Sequence, residues 1–581
     1  MSGSVPDDPD GVGDGRRGRP ARGRLPGGGI AGAAVLIGSV TVLARVAGFG
    51  RTVTFSQTVT TSCLSQAYFT ANQIPNIIFE IVAGGALAGM VVPVLAGPVE
   101  RDARDDVRRT TSALLTWIVV LLVPLSAVAA LSAGPLMRQL VRGAAAPCSR
   151  AEIIDVGTRM LVVFAPQIML YGLAVVLYGV LQAHRRFAGP ALAPLVSSVV
   201  VIGAYVAYLP AMGGANPDAL GSLPRAAELT LSVGTTLGVV ALVATALVAA
   251  WPLRLAVRPT LSFPPGVAGR VRRLAVAGLA TVVAQQLAML AVVVLTNRYG
   301  TNGALADYNY AWASYLLPWA ILAVPIATSA FPLLSARAAD GAADAGAAPA
   351  VRADGRTGDQ AGPPAGGPAA FDRVAAATTR AVVLASCAGG AALAAAAVPA
   401  ARFFDGGPQG RPEVLARAML AFAPGLLGYG LVAHLGRVLY AAGRARAAAV
   451  AIVLGWAGVL AADLAIAPAV PAGWVVAALG LGNTIGMTIA GGLLLIALAR
   501  TRGGAALAGL GRAMPAGLMA GVAAALAGYG CARGLDVAGR SANLGVAALA
   551  AVVAAGVFLA ISVVVDRRDL RAALNRGGGR R

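Results

Sequence analysis

The sequence predicts an all-α polytopic membrane protein with about 14 transmembrane helices. We expect two six-helix lobes in a pseudo-twofold repeat, followed by two C-terminal helices. Three observations support this fold class: long apolar runs, an uneven distribution of arginine between the connecting segments, and an internal repeat. Hydrophobic residues make up 57% of the 581-residue chain, and no stretch outside the tails and one loop is polar enough for a soluble domain.

The apolar runs define the predicted spans, because about 18 apolar residues in a helix are enough to cross a bilayer. The predicted spans are 30–50, 66–95, 112–133, 157–182, 190–209, 229–252, 274–297, 305–335, 377–400, 415–441, 446–468, 472–499, 514–532 and 542–565. Residues 1–28 are rich in Gly, Pro, Asp and Arg, which predicts a disordered tail.

The positions of the arginines predict the orientation in the membrane, because basic connecting segments stay in the cytoplasm. With the N-terminus inside, about 32 arginines are cytoplasmic and about 12 lie outside. We therefore expect both termini in the cytoplasm. All 46 basic residues are arginine, and the net charge of +21 is spread along the chain rather than pooled in one patch. Nucleic-acid binding is therefore not expected.

An internal repeat defines the lobes. The motif Phe-Ala-Pro, followed by Tyr-Gly-Leu, occurs at 164–173 and again at 422–431. Two copies of six spans share one orientation, so their axis runs along the membrane normal. The predicted organisation is a disordered tail 1–28, an N-lobe 29–253, a first part of the C-lobe 254–336, a disordered cytoplasmic loop 337–376, a second part of the C-lobe 377–500, a C-terminal helix pair 501–565 and a basic cytoplasmic tail 566–581.

A polar stripe interrupts the second span. At about 100° per residue, Asn72, Asn76 and Glu80 form one face of a helix, and Pro75 should kink it. Such a face is costly in a membrane unless it lines a cavity or meets partners. The stripe therefore predicts a cavity that the rest of the chain holds in place.

Two arginines of the first segment could form an anion clamp, because guanidinium groups match phosphate geometry. Arg45 lies inside the first span, and Arg51 follows six residues later. Two alternatives stay open: Arg51 could reach the membrane interface, and Arg45 could pair with Glu80.

Glu80 and Asp463 are candidates for ion or proton coupling, because a carboxylate within a span can bind Na⁺ or H⁺. The alternative for Asp463 is a position near the outer end of its span, and the alternative for Glu80 is the pair with Arg45. Cys63 and Cys148 could form a disulfide if both face the outside. The chain contains no nucleophile elbow, P-loop or metal-ligand motif, so we expect neither an enzyme nor a metal site.

Several motifs together resemble the opening of the MurJ/MviN family of lipid II flippases, which belongs to the multidrug/oligosaccharidyl-lipid/polysaccharide exporter superfamily. These are Arg45 and Arg51, Ala67-Tyr68-Phe69, Ile74-Pro75-Asn76, Gly84-Gly85-Ala86 and Val92-Pro93-Val94-Leu95. The resemblance continues at 181–194 and 439–446, and it covers spans 1–12. Glu80 followed by Ile-Val resembles the actinobacterial branch.

The resemblance implies alternating access between two lobes, with a cationic central cavity that binds the diphosphate of an undecaprenyl-linked muropeptide. It assigns Arg45 and Arg51 to that cavity. Two further family arginines are missing, because Phe79-Glu80 and about Ala313 stand at their positions.

An acid of the family's Na⁺ site in span 11 corresponds to Asp463, whereas span 7 offers only Gln285 and Gln286. Beyond coupling to Na⁺, H⁺ or the membrane potential, no cofactor is implied.

We therefore expect a flippase of the bacterial plasma membrane that moves lipid II from the inner to the outer leaflet for peptidoglycan synthesis and cell shape. The expected partners are the lipid-linked muropeptide, membrane lipids and cell-wall synthesis proteins. The candidate substrate-binding residues are Arg45, Arg51, Asn72, Asn76 and Glu80. The alternatives are an exporter of another undecaprenyl-linked glycan or a drug, and a non-transporting scaffold for cell-wall enzymes.

Overall fold

The computed structural model describes residues 28–82, 91–255, 257–263, 267–346, 368–405, 410–535 and 537–565. Most of the predicted N-terminal tail, much of the loop 337–376 and the whole tail 566–581 lie outside these residues, as does the motif Gly84-Gly85-Ala86. Within the described ranges the regular structure is helical and contains no strand, which confirms the predicted all-α class.

The described residues form nineteen α-helices. They are α1 Gly28–Thr58, α2 Cys63–Glu80, α3 Val91–Glu100, α4 Arg104–Leu131, α5 Ala133–Leu140, α6 Arg150–Phe164, α7 Gln167–Ala183, α8 Ala188–Met212, α9 Arg225–Ala250, α10 Val267–Tyr299, α11 Ala304–Pro318, α12 Val324–Gly346, α13 Pro368–Asp405, α14 Pro412–Phe422, α15 Gly425–Ala441, α16 Ala445–Ile466, α17 Val475–Arg502, α18 Leu510–Gly534 and α19 Arg540–Val565.

Eleven spans in the described ranges are long and apolar enough to cross a membrane, and the bent pair α14–α15 adds a twelfth. These twelve coincide with the predicted spans from 112–133 onward. The first predicted span falls on α1, and the second falls on α2 and α3, which the undescribed residues 83–90 separate. The polytopic fold is therefore confirmed, whereas the count of 14 is not.

The repeat seen in the sequence recurs as a repeat of helix breaks. The first Phe-Ala-Pro motif separates α6 from α7, and the second separates α14 from α15, where the axis bends by 46°. In each copy the helix after the break ends with the same backbone bond: Arg186 N donates to Leu181 O and Arg444 N donates to Leu439 O, both at 2.8 Å. Arg185 and Gly443, one residue earlier, both have positive φ. The two lobes thus share local geometry as well as sequence.

The lobes contact each other where α1 ends and α2 begins. We name this end of the molecule the outer face, after the orientation that the arginine distribution predicts. Gln66 of α2 donates to Asn297 of α10 at 3.0 Å, and its carbonyl oxygen accepts from Leu305 N of α11 at 3.2 Å. The Asn297 amide also donates to Thr70 Oγ1 at 3.1 Å. Because these polar groups are buried, their hydrogen bonds hold the outer face closed.

Close backbone approach at the outer face requires glycine at one position. Gly303, between α10 and α11, has a φ of +72°, and a Cβ atom there would lie 2.3 Å from Thr61 Cγ2. A side chain at this position would meet both backbone strain and a steric clash with the other lobe.

A disulfide joins Cys63, at the start of α2, to Cys148, in the segment before α6. The pairing that the sequence left open is therefore present. Asp218, between α8 and α9, accepts hydrogen bonds from Cys63 N at 2.8 Å and from Asn302 Nδ2 at 3.1 Å. The disulfide and this carboxylate connect three segments of the N-lobe to the C-lobe at the outer face.

The disulfide predicts a definite number of reactive thiols. Cys387 and Cys531 are free, so the denatured chain should take up two maleimide labels before reduction and four after it. Cys148→Ser should take up three labels without reduction, because Cys63 then becomes a free thiol. Counting the labels by intact mass tests this pairing, and four labels on the unreduced wild-type chain would contradict it.

Candidate functional site

A cavity of about 240 Å³ lies between the lobes. Helices α1, α2, α7, α8 and α9 form its N-lobe wall, and α11 forms its C-lobe wall. Its lining residues are Arg51, Thr52, Phe55, Tyr68, Phe69, Asn72, Gln73, Asn76, Tyr171, Ser197, Val201, Tyr205, Thr235, Val239, Asn309, Trp312, Ala313 and Leu316. The wall is thus mainly aromatic, amide and hydroxyl in character.

Arg51 supplies the charge of this cavity. Every other residue of the described lining is neutral, and within the described chain no carboxylate forms an ion pair with Arg51. A guanidinium group in a membrane protein is costly unless it meets water or an anion. The cavity is therefore suited to an anionic ligand.

A hydrogen-bonded group of three side chains forms part of the same wall. The Tyr68 hydroxyl lies 2.8 Å from the Tyr205 hydroxyl and 2.8 Å from Thr235 Oγ1. Phe55 packs against both tyrosines, with ring centroids 5.0 and 5.1 Å apart. Because packing and hydrogen bonds fix these rings, they give the cavity a rigid wall beside Arg51.

Amide side chains of α2 face the cavity, including two of the three residues of the sequence stripe. Asn72, Gln73 and Asn76 all line it, and the Asn72 Oδ1 atom is buried without a hydrogen-bond partner among the described residues. An unpaired buried carbonyl oxygen costs free energy unless water or a ligand donates to it. Asn72 is thus suited to accept a hydrogen bond from a bound hydroxyl or amide.

The structure separates two candidate residues from this group. Arg45 is exposed on α1, and Glu80 is exposed as the last residue of α2; neither belongs to the cavity lining. The ion pair that the sequence left open between them is not among the salt bridges of the described residues. Arg51, Asn72 and Asn76 are therefore brought together, whereas Arg45 and Glu80 lie outside their cavity.

Sequence reasoning missed the contributions of α8, α9 and α11. Tyr205, Thr235 and Asn309 lie on three different helices, and no spacing in the sequence links them to Arg51 or to the α2 stripe. Ala313, where the resemblance places a missing family arginine, does lie on the cavity wall. The positive charge of the cavity is therefore confined to α1 in the described lining.

Asp463, one turn before the end of α16, marks a second buried polar site. Its side chain is fully buried, and neither carboxylate oxygen has a hydrogen-bond partner among the described residues. A Cβ atom on Gly482 of α17 would lie 1.9 Å from Asp463 Oδ1, so glycine is needed there to admit the carboxylate. The buried amide of neighbouring Asn483 is also unpaired within the described structure. This donor set fits a small cation with oxygen ligands.

The sequence profile described as lipid II flippase MurJ matches residues 55–532, which include the cavity and both lobes. The chain belongs to this family. The description of this family is that of flippase transporters, not of enzymes.

Sequence relatives carry the same description. A probable lipid II flippase MurJ from Rhizobium tropici is 26% identical over 187 residues, which are 32% of this chain and 34% of that protein. A lipid II flippase MurJ from Burkholderia cenocepacia is 26% identical over 178 residues, covering 31% of this chain and 34% of that protein. The chain thus spans about a third of the length of the curated relatives it matches.

Solved structures with the same fold cover far more of the chain. A lipid II flippase MurJ in an inward closed conformation matches with a TM-score of 0.68 at 15% identity, over 92% of this chain and 99% of that one. An inward-facing multidrug resistance MATE family transporter of the MOP superfamily matches with a TM-score of 0.63 at 13% identity, over 82% and 99%. The MurJ fold is therefore shared along nearly the whole chain.

Proposed function

We propose that this MurJ family member is a flippase for lipid II, which it moves from the inner to the outer leaflet of the bacterial plasma membrane. The observation that carries the proposal is the cavity between the lobes, in which Arg51 is the charged residue of a lining that is otherwise neutral. Lipid II presents a diphosphate between its lipid and its muropeptide, and a guanidinium group binds phosphate oxygens through paired hydrogen bonds.

Different cavity residues contact different parts of the lipid II headgroup. Arg51 binds the diphosphate, while Asn72 and Asn76 contact sugar or peptide groups. A volume of about 240 Å³ admits only part of this headgroup, so the lipid chain stays among membrane lipids. Arg45 lies about 9 Å from Arg51 along the α1 axis, since a helix rises about 1.5 Å per residue. Arg45 and Glu80 then contact the substrate outside the cavity.

The proposed orientation places both termini in the cytoplasm and the outer face outside. Two features support it: the arginine distribution, and the disulfide at the outer face, because disulfides persist in oxidising compartments. Transport then requires the closed contact between Gln66 and Asn297 to open.

We propose Asp463 as the coupling residue for Na⁺ or H⁺, because its buried carboxylate lacks a hydrogen-bond partner among the described residues. Asp463→Asn should abolish the several-fold acceleration of lipid II flipping that we expect from an imposed Na⁺ or H⁺ gradient. Flipping without a gradient should persist. Glu80→Gln tests the other carboxylate, and loss of the response in Glu80→Gln alone would move the coupling site to Glu80.

The alternative functions have different requirements. A drug exporter that carries cations would bring positive charge next to Arg51, which the cavity disfavours. An exporter of another undecaprenyl-linked glycan shares the diphosphate and differs only in the sugars it must contact. A scaffold for cell-wall enzymes would depend on the central loop and tails. Deletion of those segments should therefore abolish the function of a scaffold, whereas a flippase should keep translocating.

Complementation tests the lipid II assignment in cells. In bacteria depleted of their own lipid II flippase, expression of this chain should restore growth and the exposure of lipid II at the outer surface. Full membrane expression without either effect would count against the proposal. Restored surface exposure of a different undecaprenyl-linked glycan would favour that substrate instead.

A further inference from the structure

A second chamber, of about 730 Å³, lies at the outer face and shares no lining residue with the cavity that contains Arg51. We name it the outer chamber. Its described lining is Thr61, Pro147, Ser149, Glu152, Asn216, Asp218, Ala219, Asn302, Asp307, Asp405 and Arg411. Its wall combines segments of the N-lobe with segments of the C-lobe, so its lining is complete only while the lobes are in contact there.

The charge of the outer chamber is strongly negative. Glu152 and Asp218 come from the N-lobe, Asp307 and Asp405 come from the C-lobe, and Arg411 is the cationic residue of the described lining. When all five groups are ionised, four carboxylates against one guanidinium leave a net charge of −3 in this lining. A bound cation would offset this charge.

Asp307 is the residue of this wall that points to a ligand. Its side chain is 1% exposed, it lines the chamber, and its Oδ1 atom has no hydrogen-bond partner among the described residues. Asp405 is 4% exposed, and its carboxylate accepts a hydrogen bond from Arg411 N. An ionised carboxylate that is buried without a partner is costly, so a cation at Asp307 would remove a large penalty.

The donor atoms specify the class of cation. Carboxylate, amide and hydroxyl oxygens are the ligands of Ca²⁺ and Mg²⁺, whereas softer metals prefer nitrogen or sulfur. Cys63, Cys148 and Asp218 do lie within 4.8 Å of one another, but the two cysteine sulfurs are joined as a disulfide and offer no thiolate. The chamber carboxylates form no such three-donor cluster among the described residues, so a cation there keeps part of its water shell.

We propose that the outer chamber binds a partly hydrated divalent cation, Ca²⁺ or Mg²⁺, which holds the two lobes together at the outer face. The site draws carboxylates from both lobes, so opening of the outer face separates its ligands. Divalent cations outside the cell therefore stabilise the outward-closed state.

Calorimetric titration of the purified full chain with CaCl₂ or MgCl₂, at constant ionic strength, tests the site. Wild type should bind about one ion per chain, and Asp307→Asn and Asp405→Asn should each weaken binding at least about tenfold, because ligand charge sets cation affinity. Asp155→Asn removes an exposed carboxylate of α6 outside the chamber and should bind like wild type. If Asp307→Asn does not fold, Asp405→Asn decides the outcome.

Absence of saturable binding to wild type, or equal weakening by Asp155→Asn, would overturn the proposal. Hydrogen–deuterium exchange supplies a conformational readout. Saturating Ca²⁺ or Mg²⁺ should slow exchange in residues 214–220 of the N-lobe and 300–307 of the C-lobe, and this slowing should be lost in Asp307→Asn. Unchanged exchange in wild type despite binding would overturn the role in holding the lobes together. Neither measurement uses lipid II, so failure here is distinguishable from failure of the flippase assignment.

Discussion

Arg51→Ala is expected to lower the rate of lipid II flipping by about 10-fold to 150-fold, because hydrogen bonds to a charged group contribute about 1.5–3 kcal/mol. The guanidinium group is the charged group of the described cavity lining, so no neighbouring cation in that lining compensates for its loss. Arg51→Lys should keep part of the activity, since lysine retains the charge but lacks the planar pair of donors. Translocation should be measured at equal amounts of protein in the membrane.

A matched control uses an arginine that lies away from the cavity. Arg533, near the end of α18, stacks on the Tyr529 ring and does not line the cavity. Arg533→Ala should therefore translocate at the wild-type rate. Arg45→Ala should have a smaller effect than Arg51→Ala, because Arg45 lies outside the cavity. Wild-type translocation by Arg51→Ala would remove the basis for diphosphate binding at this cavity.

Arg159→Ala is expected to lower the free energy of unfolding by more than Arg225→Ala does. Arg159 of α6 forms a bidentate ion pair with Glu228 in the first turn of α9, with a shortest N–O distance of 2.6 Å. The Glu228 side chain is only 4% exposed. Removal of one partner from a buried pair costs about 3–5 kcal/mol, and partial exposure of Arg159 reduces this to roughly 2–3 kcal/mol.

The same carboxylate provides the control for this stability prediction. Arg225 lies 3.6 Å from Glu228, but its side chain is 69% exposed. Arg225→Ala should therefore cost less than about 1 kcal/mol, as exposed ion pairs do. Thermal unfolding in detergent should rank the melting temperatures as wild type, then Arg225→Ala, then Arg159→Ala. Equal melting temperatures for the two variants would show that burial of Glu228 does not set the cost.

The sequence was sufficient to predict the helical spans and the repeat, because both can be recognised from short local patterns. Apolar length predicted the twelve described spans, and the recurrence of Phe-Ala-Pro predicted two equivalent lobes. The helix breaks after Phe164 and Phe422 were not predicted, because the apolar runs 157–182 and 415–441 continue across them. Helical periodicity also placed Asn72 and Asn76 on one face, which does line the cavity. These features depend on residues close together in the chain.

The remaining parts of the cavity and the outer chamber depend on tertiary packing. Tyr205 and Thr235 meet Tyr68 only because α8 and α9 pack beside α2. Likewise, Asp307 and Asp405 are about a hundred residues apart, and no periodicity links them. Residue type and the family resemblance placed Arg45 and Arg51 in one clamp, but the structure brings only Arg51 into the cavity. Helix packing determines which residues line the same cavity, and local sequence patterns do not encode this packing.

The central claim, that this chain flips lipid II, is tested most directly with the purified protein in sealed vesicles that contain lipid II. An external enzyme that cleaves the headgroup reaches only the outer leaflet, so it digests about half of the lipid in vesicles without the protein. With the wild-type chain, digestion should approach completion, and with Arg51→Ala digestion beyond the protein-free level should be about 10-fold to 150-fold slower. Digestion that stops at the protein-free level for the wild-type chain, with correct folding and with Na⁺ and H⁺ gradients supplied, would contradict the account.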